Sequence, residues 1–323
     1  MADARRPLPE ESGLPPDITG TVVTVGTFDG VHLGHQDVLR RLRERGRETG
    51  LRSVLVTFEP HPLEVVNPAA APQLLTTRDE KIEVLAETGL DYAAVLPFTE
   101  RLRRYTPEEF VDSVLLRRMR MRELLIGFDH GFGREREGSA DALLAIGARR
   151  DFRVDVIPPV TAGDVLPVSS TSIRRAVAGG DLNRAATGLG RPYSIGGRVI
   201  EGARRGRLLG FPTINVELPP PRKLLPPDGV YAVRAQTPLG TFAGMMNLGG
   251  RPTFGDGARS LEIHLFDAEG TLYGAHVRIE LVQRLRDTVR FESAAALTAQ
   301  LERDAAAARS ALTPDRPTGN LDS

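Results

Sequence analysis

Val25-Gly26-Thr27-Phe28-Asp29-Gly30-Val31-His32-Leu33-Gly34-His35 is the stretch whose reading decides the fold of the first half of the chain. Before it, Thr21-Val22-Val23-Thr24-Val25 is wholly β-branched and predicts a buried strand. After it, Gln36–Arg47 predicts a helix with Val38, Leu39 and Leu42 on one face. A strand, a glycine-rich turn and a helix start together make a site for phosphate. Gly26, Gly30 and Gly34 let backbone amides approach phosphate oxygens, and the helix N-terminus adds partial positive charge. Phe28 and Asp29 belong to the same turn. His32 and His35, three positions apart, can both reach one phosphate group, which suits a nucleoside triphosphate attacked at its α-phosphorus. The alternative for each histidine is packing or capping.

The pattern around this turn repeats. Strands are expected at Thr21–Val25, Ser53–Phe58, Tyr92–Leu96, Glu123–Ile126 and Arg153–Ile157. Helical patterns near Gln36–Arg47, Asp79–Thr88, Pro107–Met119 and Ser139–Arg150 separate them. This βαβα alternation predicts a doubly wound parallel sheet, an α/β fold with ligands beyond the carboxyl ends of the strands. Near Thr187-Gly188-Leu189-Gly190 the rhythm changes to short alternating strands between Gly and Pro turns: Ser194–Ile200, Gly229–Gln236, Thr241–Leu248, Ser260–Phe266 and His276–Val282. That is the pattern of a small antiparallel barrel, closed by a helix near Ser293–Ala311. The expected division is a disordered segment 1–17, an α/β domain 18–186, a barrel domain 187–312 and a disordered tail 313–323.

Composition narrows the chemistry. The formal net charge of the 323 residues is zero, which opposes a large nucleic-acid surface. There is no cysteine, so thiolate catalysis, disulfides and zinc ribbons are excluded. No apolar run approaches the ~20 residues of a membrane span. The polar, proline-rich stretch from Met1 to Asp17 lacks the apolar core of a signal peptide, so the cytoplasm is the expected compartment. Lys81 and Lys223 are the only lysines and neither follows a glycine, which disfavours a Walker A loop. Phosphoryl chemistry here must rely on histidine, arginine, backbone amides and a metal.

Further motifs follow along the chain. Thr57-Phe58-Glu59-Pro60-His61-Pro62 is either a plain loop or part of a substrate lining. Asp129 lies in Leu125-Ile126-Gly127-Phe128-Asp129-His130-Gly131-Phe132-Gly133, a glycine-bearing loop after the fourth strand. Ser170, Thr171 and Arg174 open a helix, as a phosphate cradle or as an ordinary N-cap. In the second half, a loop with Gly202, Gly206 and Gly210 leads to Phe211-Pro212-Thr213-Ile214-Asn215. Oxygens of Thr213 and Asn215 can ligate Mg²⁺ that ATP phosphates also hold. Arg251 stands in the turn Asn247-Leu248-Gly249-Gly250-Arg251-Pro252-Thr253-Phe254. In Leu261-Glu262-Ile263-His264-Leu265 the apolar residues share one face. Glu262 faces the other way, as a proton acceptor for a substrate hydroxyl or as a solvated strand residue.

Taken together these motifs resemble the prokaryotic bifunctional riboflavin kinase/FAD synthetase family, from about Val22 to about Asp304. The histidine motif by itself is similar to the nucleotidyltransferase signature. The resemblance implies two ATP-dependent reactions. The C-terminal module would phosphorylate riboflavin to FMN, with Glu262 as base, Thr213 and Asn215 on Mg²⁺, and the Gly202–Gly210 loop and Arg251 near the nucleotide. The N-terminal module would transfer AMP to FMN, giving FAD and pyrophosphate. There His32 and His35 would act at the phosphorus, while Asp129, Ser170, Thr171 and Arg174 would hold ATP beside the glycine-rich turn. No nucleic acid, membrane or obligatory protein partner is implied. Two positions depart from the family pattern: His130-Gly131 replaces an aromatic, and Ile214 replaces an alanine. By strand alternation Ile214 should point away from Thr213 and Asn215. The competing readings are a single-function nucleotidyltransferase, which leaves the second half without a role, and a flavin-binding protein that has lost catalysis.

Overall fold

The computed structural model describes residues 14–127, 138–157, 168–202, 205–251 and 256–313. They form two compact units, Met1–Ser170 and Thr171–Ser323.

The first unit is built on a five-stranded parallel sheet. The strands are β1 (Thr21–Val25), β2 (Arg52–Glu59), β3 (Tyr92–Pro97), β4 (Met121–Gly127) and β5 (Arg153–Ile157). Their order in the sheet is β3-β2-β1-β4-β5. The chain therefore runs outward from β1 on one side and then crosses to the other, so the order reverses between β1 and β4. In an open parallel sheet, ligands bind at such a reversal, beyond the carboxyl ends of the strands. All five residues of β1 are buried, because the strand has neighbours on both edges and helices on both faces. Val22 packs with Leu39 and Leu42 of helix α1 (Leu33–Thr49) and with Val84 and Leu85 of the helix Arg78–Ala86. Val23 and Val25 pack on the other face with Phe110, Val114, Leu143 and Ile146. The expected β1 coincides with the observed strand, whereas β4 extends beyond the expected Glu123–Ile126 at both ends. The segment 1–17, expected to be disordered, is described only from residue 14, and there Leu14 is buried in the core with Ile18.

The second unit opens with the helices Ser170–Ala178 and Leu182–Leu189. A closed barrel follows, of β6 (Tyr193–Ile200), β7 (Ile214–Val216), β8 (Gly229–Thr237), β9 (Gly240–Arg251), β10 (Asp256–Leu265) and β11 (His276–Arg286). The order around the barrel is β10-β7-β6-β11-β8-β9, with the pairs antiparallel. Closure leaves no open sheet edge. Alternate residues point inward, among them Ile195, Val216, Val233, Met246, Leu261, Ile263 and Ile279. Leu182 joins the same core, so the Leu182–Leu189 helix, which straddles the expected domain start at residue 187, packs with the barrel. The last helix, Ala294–Leu312, covers the outside of the barrel through Ala308 and Leu312, against Ala232, Met245 and Phe266.

One ion pair fixes that last helix. Asp304 is buried, and its carboxylate accepts from Arg286 at 2.6–3.1 Å and from Gln300 at 2.8 Å. Breaking a buried pair strands the remaining charge. Asp304→Ala is expected to destabilise the barrel by about 3 kcal/mol, read as a lower urea midpoint, with Asp304→Asn losing less. Equal midpoints for the wild type and Asp304→Ala would mean that the apolar face alone holds the helix.

Candidate active sites

The turn after β1 is held by its neighbours at almost every residue. Gly26 N–H donates to the Val56 carbonyl at 3.0 Å. The Thr27 carbonyl accepts from the Thr57 hydroxyl at 3.0 Å and from Lys81 Nζ at 3.2 Å. The buried Asp29 carboxylate accepts from the N–H groups of Leu75 and Thr76 at 2.9–3.0 Å, and Thr76 Oγ1 in turn accepts from Gly30 N–H at 3.1 Å. Ser170 closes the set, its hydroxyl donating to the Asp29 carbonyl at 3.1 Å. Asp29, grouped in the sequence with nucleotide-binding residues, thus has a loop-anchoring role in the fold. So anchored, the turn tolerates unusual backbone. Gly30 has φ +79°, and the non-glycine residues Phe28 and Val31 have φ +47° and +40°. Positive φ is rare for a β-branched residue and persists only where the surroundings over-determine it.

This geometry delivers the histidines. His32 is the N-cap of α1, and its Nδ1 accepts from the His35 backbone N–H at 3.3 Å. That bond puts the proton of a neutral His32 ring on Nε2. The two rings stack with centroids 3.7 Å apart, and Phe28, itself buried, stacks on His35 at 4.5 Å. Gly34 leaves room for the arrangement, since a Cβ there would stand 3.2 Å from the His32 ring. A Cβ at Gly26 would strike the Phe28 ring at 2.8 Å. Burial pushes the His35 pKa well below the ordinary value of 6.5, and the charges of His32 and Lys81 push it the same way. His35 is therefore neutral at pH 7. Its buried Nδ1 has no hydrogen-bond partner among the described residues.

The remaining sequence candidates of this half fall in three places. Ser170 bonds the turn, as above. Thr171 and Arg174 follow it in the same helix, within the second unit, Thr171 exposed and Arg174 half-buried. Asp129 lies outside the described residues. In the loop after β2, His61 caps the short helix Pro62–Val66, accepting from Leu63 N–H at 3.2 Å. Sequence reasoning missed Thr76 and Lys81. The pair Thr77 and Glu80 offered a partial signal, because Thr-x-x-Glu is a capping box and marks the helix start that brings both residues to the turn.

The second cluster lies on the outside of the barrel. Glu262 on β10 pairs with Asn215 on β7 and with Asn247 on β9. Directly opposed residues share a face, so Asn247, Glu262 and Asn215 form one row across three strands. The Ser260 hydroxyl donates to Glu262 Oε1 at 3.1 Å. The Asn215 amide lies against Gly202, where a Cβ would collide with it at 2.0 Å, so only glycine fits. Gly206 sits under the Phe211 carbonyl, 2.3 Å from where a Cβ would be, and Gly210 turns the chain at φ +81°. These glycines fold the loop onto Thr213 and Asn215. His264, two residues beyond Glu262, donates from Nδ1 to the Pro212 carbonyl at 2.7 Å and so tethers the segment that carries Thr213. Ile214 pairs with Ile263 and packs on the barrel core, away from Asn215, as its alternation predicts. Arg251 is the last residue of β9. The turn expected from Asn247 onward begins later, because β9 runs three residues past the expected Leu248. Asn247, Ser260 and His264 are the residues missed here, and the alternation around Glu262 was the available signal for the last two.

Comparison with known proteins covers both clusters. The FAD synthetase family model matches residues 14–172, and the riboflavin kinase family model matches residues 189–312. The bifunctional riboflavin kinase/FMN adenylyltransferase of Pseudomonas fluorescens is 41% identical over 302 residues, 93% of this chain and 96% of that protein. The protein of the same name from Escherichia coli (strain K12) is 39% identical over 90% of this chain and 92% of its own. A solved structure described as a macrolide-efflux protein from Streptococcus pneumoniae superposes with a TM-score of 0.79 at 29% identity, covering 93% of this chain and 96% of that one. Among the described residues no helix is long and apolar enough to cross a membrane.

The neutral His35 has a consequence for stability. The unfolded chain takes up a proton near pH 6.5 and the folded chain resists it, so the unfolded state binds more protons below that pH. Stability should therefore fall as pH drops below about 6.5. The raised pKa of the half-buried Glu59 acts in the opposite sense, within the carboxylate range. Denaturant midpoints between pH 7.5 and 5.5 should decline more steeply for the wild type than for His35→Asn. Parallel slopes would show that His35 is not buried as the neutral ring.

Proposed function

The chain belongs to the bifunctional riboflavin kinase/FMN adenylyltransferase family, and we propose that each of its two side-chain clusters carries one of the family's two reactions. The enzyme phosphorylates riboflavin to FMN and adenylylates FMN to FAD, with ATP as the donor in both steps. The observation that carries the residue assignment is the separation of the motifs into two clusters. The stacked His32–His35 pair stands at the end of β1, and the Asn247–Glu262–Asn215 row stands on the barrel.

In the adenylyl reaction a phosphate oxygen of FMN attacks the α-phosphorus of ATP and pyrophosphate leaves. His32, with its proton on Nε2, and neutral His35 offer N–H groups to the charge that develops on the phosphoryl oxygens. They are already oriented by α1 and by Phe28, so little reorganisation accompanies the reaction. Ser170, Thr171, Arg174 and Asp129 are assigned to ATP, with Gly26, Gly30 and Gly34 admitting its phosphates. No covalent intermediate is required.

In the kinase reaction Glu262 accepts the proton of the riboflavin 5′-hydroxyl as that oxygen attacks the γ-phosphorus and ADP leaves. The Ser260 bond holds the carboxylate in one orientation. Thr213 and Asn215 would hold Mg²⁺ together with ATP phosphates. Their oxygens are neutral and two residues apart, a donor set that suits a Mg²⁺ ion drawing its anionic ligands from the nucleotide. The ion, when bound, neutralises phosphate charge. Arg251 and the Gly202–Gly210 loop are assigned to the nucleotide, and the cytoplasm to the enzyme.

Three experiments test these assignments, each read by separating riboflavin, FMN and FAD. His32→Ala or His35→Ala should slow FAD formation on the order of a hundredfold and leave FMN formation intact. Normal FAD synthesis in both variants would remove the histidines from the mechanism. Glu262→Gln should abolish most riboflavin phosphorylation while supplied FMN is still adenylylated, and an unchanged kinase rate would place the base elsewhere. A fragment beginning at Gly180 keeps Leu182 and Ala185 of the helix that packs on the barrel, and should fold and make FMN but no FAD. A fragment beginning at Thr187 lacks both residues and should be markedly less stable. A soluble, cooperatively folded Gly180 fragment without kinase activity would mean that the barrel only binds.

A further inference from the structure

Lys81 stands in the helix Arg78–Ala86, inside a turn whose sequence, Arg78-Asp79-Glu80-Lys81, is charged throughout. Its side chain is nevertheless buried, with a relative exposure of 6%. Nζ lies 3.2 Å from the Thr27 carbonyl and 3.5 Å from the Phe58 carbonyl. The first acceptor belongs to the turn that carries His32 and His35, and the second to the carboxyl end of β2. A buried lysine must be compensated, and here two carbonyl oxygens and two nearby carboxylates do so. Burial lowers the Lys81 pKa, and the carboxylates of Glu59, at the end of β2, and Asp29, in the turn, oppose that shift without cancelling it. His35, on α1, is the titratable ring whose protonation the Lys81 charge opposes.

We propose that Lys81 is a positioning residue of the adenylyl site, tying the histidine turn to the end of β2 through the Thr27 and Phe58 carbonyls. The proposal rests on the assignment of FMN adenylylation to His32 and His35. Lys81 acts through that pair and through the turn, and contact with substrate is not part of its role. The Thr27 carbonyl is shared with the Thr57 hydroxyl, so losing Lys81 loosens the turn without releasing it. The Lys81 charge acts in parallel, opposing protonation of His35, so that without it the ring takes up a proton more readily.

Full-length Lys81→Met and Lys81→Arg test this. In Lys81→Met, kcat for FAD formation should fall about tenfold or more, since small displacements of reacting groups are costly in rate. Riboflavin phosphorylation by the same preparation should be unchanged and reports that the chain is folded. The NMR titration of the His35 ring should move to higher pH, and the acid limb of the adenylyl pH profile should move with it. Lys81→Arg, which keeps the charge, should retain the low His35 titration and recover much of the rate. A Lys81→Met protein that is merely less heat-stable, with wild-type adenylyl kcat and an unmoved His35 titration, overturns the proposal. Wild-type FAD formation in His35→Ala would sink the reading on which the proposal rests, and the His35 titration would then still decide the Lys81 coupling by itself.

Discussion

The buried carboxylate of Asp29 is the constraint on which the first site depends. A carboxylate removed from water is costly unless hydrogen bonds replace its hydration. Here backbone N–H groups of Leu75 and Thr76 replace it, from a segment 46 positions or more along the chain. These bonds bring the start of the Arg78–Ala86 helix against the turn, and with it Lys81 and the Thr76 hydroxyl. The turn then holds Phe28 and Val31 at positive φ, which places His32 at the cap of α1 and stacks His35 on it. One buried charge is thus satisfied by organising the loop around it, and the loop in turn organises the imidazoles.

The barrel reaches the same end by other means. Its site residues are fixed by strand register, because Leu261 and Ile263 must face the core. A one-residue slip of β10 would expose both and drive Glu262 inward. Core burial therefore sets which side Glu262 occupies, and pairing with β7 and β9 sets its neighbours, Asn215 and Asn247. The loop glycines contribute by absence: at Gly202 any side chain would displace the Asn215 amide.

The two units also place different electrostatic demands on their sites. The histidine site gathers buried ionisable groups, Asp29, Lys81 and the half-buried Glu59, around a ring kept neutral. In the barrel cluster the glutamate is oriented by a neighbouring hydroxyl on its own strand. Adenylyl transfer needs donors aimed at a phosphorus that becomes more negative, whereas hydroxyl phosphorylation needs an acceptor for one proton. In the proposed assignment the oriented imidazoles serve the first and the Glu262 carboxylate the second.

Much of this was legible in the sequence, because much of it is local. β1 spans the expected Thr21–Val25, since five consecutive β-branched residues ending at a glycine leave little else to form. The inward alternation of Leu261, Ile263 and Leu265 was legible for the same reason, as was the opposite facing of Ile214 and Asn215. What the tertiary structure alone decided lies where a residue's partner is distant. Glu80 and Lys81 lie in a charged stretch of an expected helix and are nevertheless buried, and the acceptors for Lys81 come from the turn after β1 and the end of β2. Arg251 reads as a turn residue and ends a strand, because β10 pairs alongside it. Leu14 reads as part of a disordered segment and is core, and Leu182 reads as part of the first domain and joins the barrel core. Period and turn chemistry are written within a few residues. The identity of a hydrogen-bond partner tens of positions away is settled only when the sheet closes, since the free energy of burying a charge depends on what it meets there.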